Sequence, residues 1–241
     1  MAIRLFVDAL LSHPGLIIQL SSTQQHYLKN VMRLRPGDGV RIFNGNAGEW
    51  EASYQKDTLQ LIRQVQAQPL RQGHRFLFFS MIKPARMDWL VEKATEIGAS
   101  HLVPCLSDRT TTRRCNLERF HRIAVEASEQ SGRLEVPLLM EPAPLFDQLN
   151  SSLLSNTRGF VMVPPNSVKQ PVPPFSTCFP VVLDGCSRDL GVLIGPEGGW
   201  SPQELTLFQK NPSLTLVSLG HHILRAETAG VVALGMLQQM A

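Results

Sequence analysis

Val192-Leu193-Ile194-Gly195-Pro196-Glu197-Gly198-Gly199, followed by Ser201-Pro202-Gln203-Glu204, is the stretch from which the fold of this 241-residue chain is read. A short apolar run reads as a buried strand, and the glycines that follow end it. Ser201 is an N-cap residue, Pro202 suits the first helical position, and Glu204 completes a capping box, so a helix starts directly after the glycines. The unit is therefore strand, glycine loop, helix. Three glycines let a backbone approach a ligand without Cβ atoms in the way. The same spacing also fits an ordinary tight turn, and the residues alone leave these two readings level.

The order repeats at the end of the chain. Leu214 to Leu219 reads as a strand, Gly220 breaks it, and His221-His222-Ile223-Leu224-Arg225-Ala226-Glu227-Thr228-Ala229 leads into an apolar helix ending near Met240. Glu227 complements the positive end of that helix, and Arg225 is placed to pair with it. Strands are also expected at Phe76 to Met81, His101 to Cys105, Phe160 to Val163, Val181 to Asp184 and Val192 to Gly195. Between them, Arg86 to Ile97 carries Met87, Leu90, Ala94 and Ile97 on one helical face and stops at Gly98. A second helix starts at Asn116, buries Leu117, Phe120, Ala124 and Ala127, and stops near Gly132. Proline-rich 164–174 reads as a surface loop. Alternation of short apolar runs with helical periods is the mark of an α/β sheet with crossover helices.

Upstream of Gln66 the pattern has period two, as in Trp50, Ala52 and Tyr54 against Glu51 and Ser53. Asn44-Gly45 and Pro36-Gly37-Asp38-Gly39 supply turns. One helix interrupts, with Ser22 as expected N-cap, Gln25 closing its capping box, and Leu28, Val31 and Met32 as its apolar face. Small strands plus one helix suggest a compact barrel, and polar 66–74 is the natural linker.

Composition sets the class. Apolar residues are 43% and charged residues 18%, enough to bury a core and inconsistent with disorder. No apolar run approaches the roughly 20 residues of a membrane helix, and no signal peptide is seen, so a soluble protein is expected. Cys105, Cys115, Cys178 and Cys186 lack metal-ligand spacing and read as small buried hydrophobes in a reducing compartment, the cytoplasm. His221 and His222 read as solvent-facing, and no metal site is expected. The net charge of +3 belongs to the first third, where Lys29, Arg33, Arg35 and Arg41 cluster. A second basic run holds Arg109, Arg113, Arg114, Arg119 and Arg122. Such clusters suit phosphate contacts and equally a solvated face. Neither G-x-G-x-x-G nor G-x-x-x-x-G-K-[ST] occurs, which disfavours the usual dinucleotide and triphosphate loops.

Ile194-Gly195-Pro196-Glu197-Gly198-Gly199, with Leu219-Gly220 and Ile223-Leu224-Arg225-Ala226-Glu227-Thr228-Ala229, resembles the RsmE family of 16S ribosomal RNA uridine N3-methyltransferases in the SPOUT superfamily. Arg4-Leu5-Phe6-Val7, His26-Tyr27, Val31-Met32-Arg33-Leu34, Pro36-Gly37-Asp38, Lys93-Ala94-Thr95-Glu96-Ile97-Gly98, Glu129-Gln130-Ser131-Gly132-Arg133 and Val136-Pro137 extend the likeness in the family's order. The chain departs from the family at His222, where Arg is common, and at Ala226, where Thr is. The resemblance implies an α/β protein: a small PUA-like β-barrel RNA-binding domain over 1–70, then a SPOUT α/β domain over 73–241 closed by a carboxy-terminal trefoil knot. It implies a homodimer acting on 16S rRNA of the small subunit. It implies S-adenosylmethionine (SAM) held by Leu193, Ile194, Gly195, Pro196, Glu197, Gly198 and Gly199, and by Leu219, Gly220, Ile223, Leu224, Arg225, Glu227, Thr228 and Ala229. Arg4, Lys29, Arg33, Arg35, Arg113 and Arg114 are the implied RNA contacts.

The chemistry narrows the catalytic candidates. Uridine N3 is nucleophilic only after losing its proton, and a guanidinium stabilises the resulting anion by charge-assisted hydrogen bonding. Arg225 or Arg133 suits that role better than a lone carboxylate. Glu129 or Glu227 either accepts the proton or orients an arginine, and the sequence leaves both open. The competing readings are a SPOUT enzyme for another RNA site or atom, a noncatalytic RNA-binding protein, and a small-molecule enzyme with an incidental barrel.

Overall fold

The computed structural model describes residues 3–70, 73–151, 157–165, 167–168, 171–178 and 189–239. Contacts divide the chain into two units: 1–70 with 128–136, and 71–127 with 137–241.

In the first unit, β1 (Arg4–Phe6), β2 (Ile17–Gln19), β3 (Gly39–Phe43), β4 (Glu49–Tyr54) and β5 (Thr58–Gln66) form one sheet in the order β1-β3-β4-β5-β2. Among the described residues β1 and β3 run parallel and the other neighbours antiparallel. The period-two reading of β4 holds: Trp50, Ala52 and Tyr54 point into a core with Leu5, Ile18, Val40, Ile42, Leu59 and Leu61. The helix differs from expectation by one residue. Ser21, not Ser22, caps α1 (Ser22–His26), and Gln24, not Gln25, closes the box. This α-helix is a single turn that continues as a π-helical turn, Tyr27–Val31. The change of winding buries Leu28 and leaves Val31 and Met32 exposed, so the expected apolar stripe is not a packed face.

Segment 128–136 completes this unit. Arg4 donates through Nη1 to the Ser128 and Glu129 carbonyls at 3.0 and 2.9 Å, and through Nη2 to the Arg133 carbonyl at 2.8 Å. Its Nε pairs with Glu49 at 2.7 Å, and its guanidinium lies 4.8 Å from the Phe43 ring centre. One cation thus ties three carbonyls of this segment to β1 by charge-assisted hydrogen bonds.

The second unit is built on a parallel sheet of β6 (Arg75–Ser80), β7 (His101–Leu106), β8 (Leu138–Leu139), β9 (Ala143–Pro144), β10 (Thr157–Met162), β11 (Asp189–Ile194) and β12 (Leu214–Val217). Its order is β12-β10-β11-β6-β7-β8, with β9 also on β7. The expected strands thus form, except that Val181 to Asp184 lies outside the described residues. Among the described residues its α-helices are α2 (Pro84–Ile97), α3 (Leu117–Ser131, whose last turn from residue 128 belongs to the first unit), α4 (Leu145–Asn150), α5 (Pro202–Lys210) and α6 (Ala226–Gln238). Gly98 at φ +112° ends α2, and Asn116 Oδ1 caps α3 by accepting from Arg119 N at 2.9 Å. Helices α2 and α6 pack closely because Gly230 has no side chain: a Cβ there would sit 2.7 Å from Leu90 Cδ1. No helix among the described residues is long and apolar enough to cross a membrane.

Candidate active site

Both strand, glycine loop, helix units open at the carboxyl ends of β11 and β12, the two strands that flank β10, on the edge where open parallel sheets bind ligands. After β11, Gly195 makes room for an indole: a Cβ there would lie 3.0 Å from Trp200 Cε2. Trp200 is buried, donates from Nε1 to the Met162 carbonyl at 3.0 Å, and meets Phe208 edge-on. Pro196 to Gly199 forms a turn closed by Gly199 N–H on the Pro196 carbonyl at 2.8 Å. Ser201 and Glu204 make the expected capping box of α5. Buried Glu204 also accepts Asp108 N–H at 2.9 Å, and Ser201 Oγ donates to Asp108 Oδ2.

After β12, Gly220 takes φ +117° and is fixed by its N–H on Ser218 Oγ at 3.2 Å. Arg225 is the N-cap residue of α6 by backbone, with an exposed side chain that makes no capping bond. Glu227 is buried in the first turn. Its partner is Arg86 of α2, at 3.6 Å, rather than Arg225; Arg86 also reaches Glu197 at 3.8 Å. The second Glu227 oxygen, Oε2, is buried without a hydrogen bond.

The two loops face one cavity of about 360 Å³. Of the expected cofactor residues, Ile194, Gly195, Pro196, Glu197, Gly199, Leu219, Gly220, Ile223, Leu224, Arg225 and Ala229 line it. Leu193 instead belongs to the sheet core, Gly198 faces Arg109, and Glu227 and Thr228 stand outside the lining. Sequence reading missed Arg86, Met162, Val163, Pro164, Pro165, Trp200 and Ala226, and did not assign exposed His222 a place on the wall. Pro164 and Pro165 therefore do more than cover the surface. The walls are mostly apolar and backbone, with Arg86, Glu197 and Arg225 as the charged groups. Gly199 (φ +68°) and Gly220 occupy left-handed conformations in the wall, and a Cβ at either would meet no atom within 4 Å. No group of His, Cys, Asp and Glu among the described residues is arranged to hold a metal. Burial pushes the Cys105 thiol far up, and burial likewise raises Cys115 and Cys178, so none is a poised thiolate.

The model of an RNA methyltransferase domain matches residues 69–238, and that of an RNA methyltransferase PUA domain matches 20–62. Ribosomal RNA small subunit methyltransferase E of Synechocystis is 30% identical over 92% of this chain and 73% of its own. The chain belongs to the RsmE family of RNA methyltransferases. The Rickettsia conorii member of the RsmE family is 28% identical over 98% of this chain and 94% of its own. A Legionella pneumophila protein solved with the cofactor SAM bound superposes with a TM-score of 0.80, at 25% identity, over 99% of this chain and 98% of that one.

Other candidates carried over from the RsmE family lie elsewhere. Glu129 and Arg133 belong to the first unit and do not line the cavity; Glu129 Oε1 accepts Phe6 N–H at 2.8 Å. Arg4 is committed inside that unit as described, with its side chain only 14% exposed, which leaves it poorly placed for phosphate. Lys29, Arg33, Arg35, Arg113 and Arg114 are exposed. Within the second basic run, Arg119 is held by Asp88 at 2.8 Å and Arg109 by the Gly198 carbonyl at 2.8 Å.

Proposed function

We propose that this RsmE-family chain transfers a methyl group from SAM to N3 of one uridine in 16S rRNA of the small ribosomal subunit. The observation that carries the reading is the meeting of both glycine loops and Arg225 on a single cavity. The cavity suits SAM: its volume is in the small-ligand range, its walls offer apolar faces and backbone groups, and the left-handed glycines keep Cβ atoms out of it. The relatives' names and the SAM-bound Legionella structure support the substrate class and cofactor.

When bound, SAM supplies a methyl group on a sulfonium, open to in-line attack by a nucleophile. The chain supplies position and electrostatics. Ile194, Trp200 and Leu224 exclude water from the reacting centre, while Gly199 and Gly220 allow close backbone approach. Arg225, without a side-chain partner among the described residues and on the cavity wall, donates to the uridine oxygens as N3 gives up its proton to water and charge develops there. Glu227 orients Arg86 rather than accepting the proton, since one oxygen faces that guanidinium and the other is buried. We assign no chemical role to Arg133 or Glu129, whose backbone and carboxylate serve the first unit.

In the same reading, 1–70 is a PUA-like RNA-binding domain, 73–241 is a SPOUT domain with a trefoil knot, and the enzyme is a cytoplasmic homodimer. Lys29, Arg33, Arg35, Arg113 and Arg114 contact phosphates. Calorimetric titration with SAM and mass spectrometry of 16S rRNA from a deletion strain test the proposal. Binding, together with loss of one uridine methyl group restored by the gene, is expected. Absence of binding, or an unchanged rRNA methylation pattern, refutes it.

A further inference from the structure

The peptide joining Gly198 to Gly199 is held at both edges. Its N–H donates to the Pro196 carbonyl at 2.8 Å, and its own carbonyl accepts from Arg109 Nη1 at 2.8 Å. Arg109 approaches so closely that a Cβ at Gly198 would lie 3.3 Å from its Cβ. The segment bearing Arg109 is itself anchored to the start of α5, by Asp108 N–H on Glu204 and by Ser201 Oγ on Asp108. A further bond, Ser107 N–H on Thr110 Oγ1 at 3.0 Å, sets the turn on which Arg109 stands.

A peptide flanked by two glycines rotates about its long axis with little steric hindrance, because the coupled change in ψ of Gly198 and φ of Gly199 meets no Cβ. Gly199 is part of the cavity wall. Rotation of this peptide therefore changes which polar edge the wall presents to a ligand. Arg109 is the side chain that fixes its carbonyl, although it does not line the cavity.

We propose that Arg109 is a positioning residue that locks the Gly198–Gly199 peptide in the orientation that receives SAM. The role rests on the cofactor reading above; the lock itself does not. The test uses the full chain and its Arg109→Ala and Arg109→Lys variants. In glycine-labelled NMR spectra the Gly199 amide resonance should move or double in Arg109→Ala and return toward the wild-type position in Arg109→Lys, which keeps a donor. SAM affinity in Arg109→Ala should weaken about three- to tenfold, the scale of one hydrogen bond, with KM for SAM rising, kcat nearly unchanged and the thermal midpoint unmoved. An unmoved Gly199 amide overturns the lock. A moved amide with unaltered SAM affinity overturns the positioning role. Failure of the wild-type chain to bind SAM would refute the cofactor reading, and the amide arm would still decide the lock.

Discussion

Replacing Arg225 by alanine separates chemistry from stability more cleanly than any other change in the cavity. Its side chain is exposed and makes no hydrogen bond or ion pair with a described group; only its backbone carbonyl is engaged, accepting Ala229 N–H at 2.8 Å. Alanine keeps that bond, so folding stability should change by less than about 0.5 kcal/mol, the usual range for such surface sites. Removing one preorganised donor from a developing anion costs about 10²- to 10³-fold in rate. The cavity mouth is open to water at Arg225, which places the expected loss nearer the lower figure, about 10²-fold. Single-turnover transfer of labelled methyl groups to reconstituted subunits and to naked rRNA gives the rate directly. Arg225→Lys should lose less than alanine, because it keeps the charge but not the planar fork. A near-normal rate for Arg225→Ala refutes the assignment, and a SAM affinity falling as far as the rate would make Arg225 a cofactor clamp.

Gly195→Ala places a Cβ 3.0 Å from the Trp200 ring and should destabilise by about 1–3 kcal/mol, the range for overpacking. A lower urea midpoint checks it, and an unchanged midpoint contradicts it. Arg86→Gln leaves buried Glu227 without its cation and should lower the thermal midpoint, whereas Arg86→Gln with Glu227→Gln should recover it; additive losses would deny the pairing. Converting Lys29, Arg33, Arg35, Arg113 and Arg114 together to glutamine should flatten log RNA affinity against log salt by about 3–4, at roughly 0.7 per phosphate contact on single strands. An unaltered slope would leave these side chains as a solvated face.

Local signals carried the two strand, glycine loop, helix units, because caps and apolar runs act within a few residues. Ser201 with Glu204 and the Gly98 stop are of this kind. Long-range partners left no such trace. Trp200 and Arg86 reach the cavity only because the sheet order brings Met162 and the start of α2 beside the glycine loops. Gly198 looked like its glycine neighbours, yet what it meets is Arg109, 89 positions away. The one-residue error at Ser21 arose from two adjacent serines with adjacent glutamines, each pair spaced as a capping box.

Because Arg4 finds its acceptors at Ser128, Glu129 and Arg133, the first unit is complete only when residue 136 has been made. A ribosome adding about 5–20 residues per second takes roughly 3–13 seconds to pass from residue 70 to residue 136. During that interval the amino-terminal sheet exists without the carbonyls that receive its arginine. Translation speed across the intervening 57 residues, 71–127, thus sets how long the nascent chain stays open to wrong partners, and synonymous codon changes there should alter the yield of folded protein while leaving the finished molecule identical.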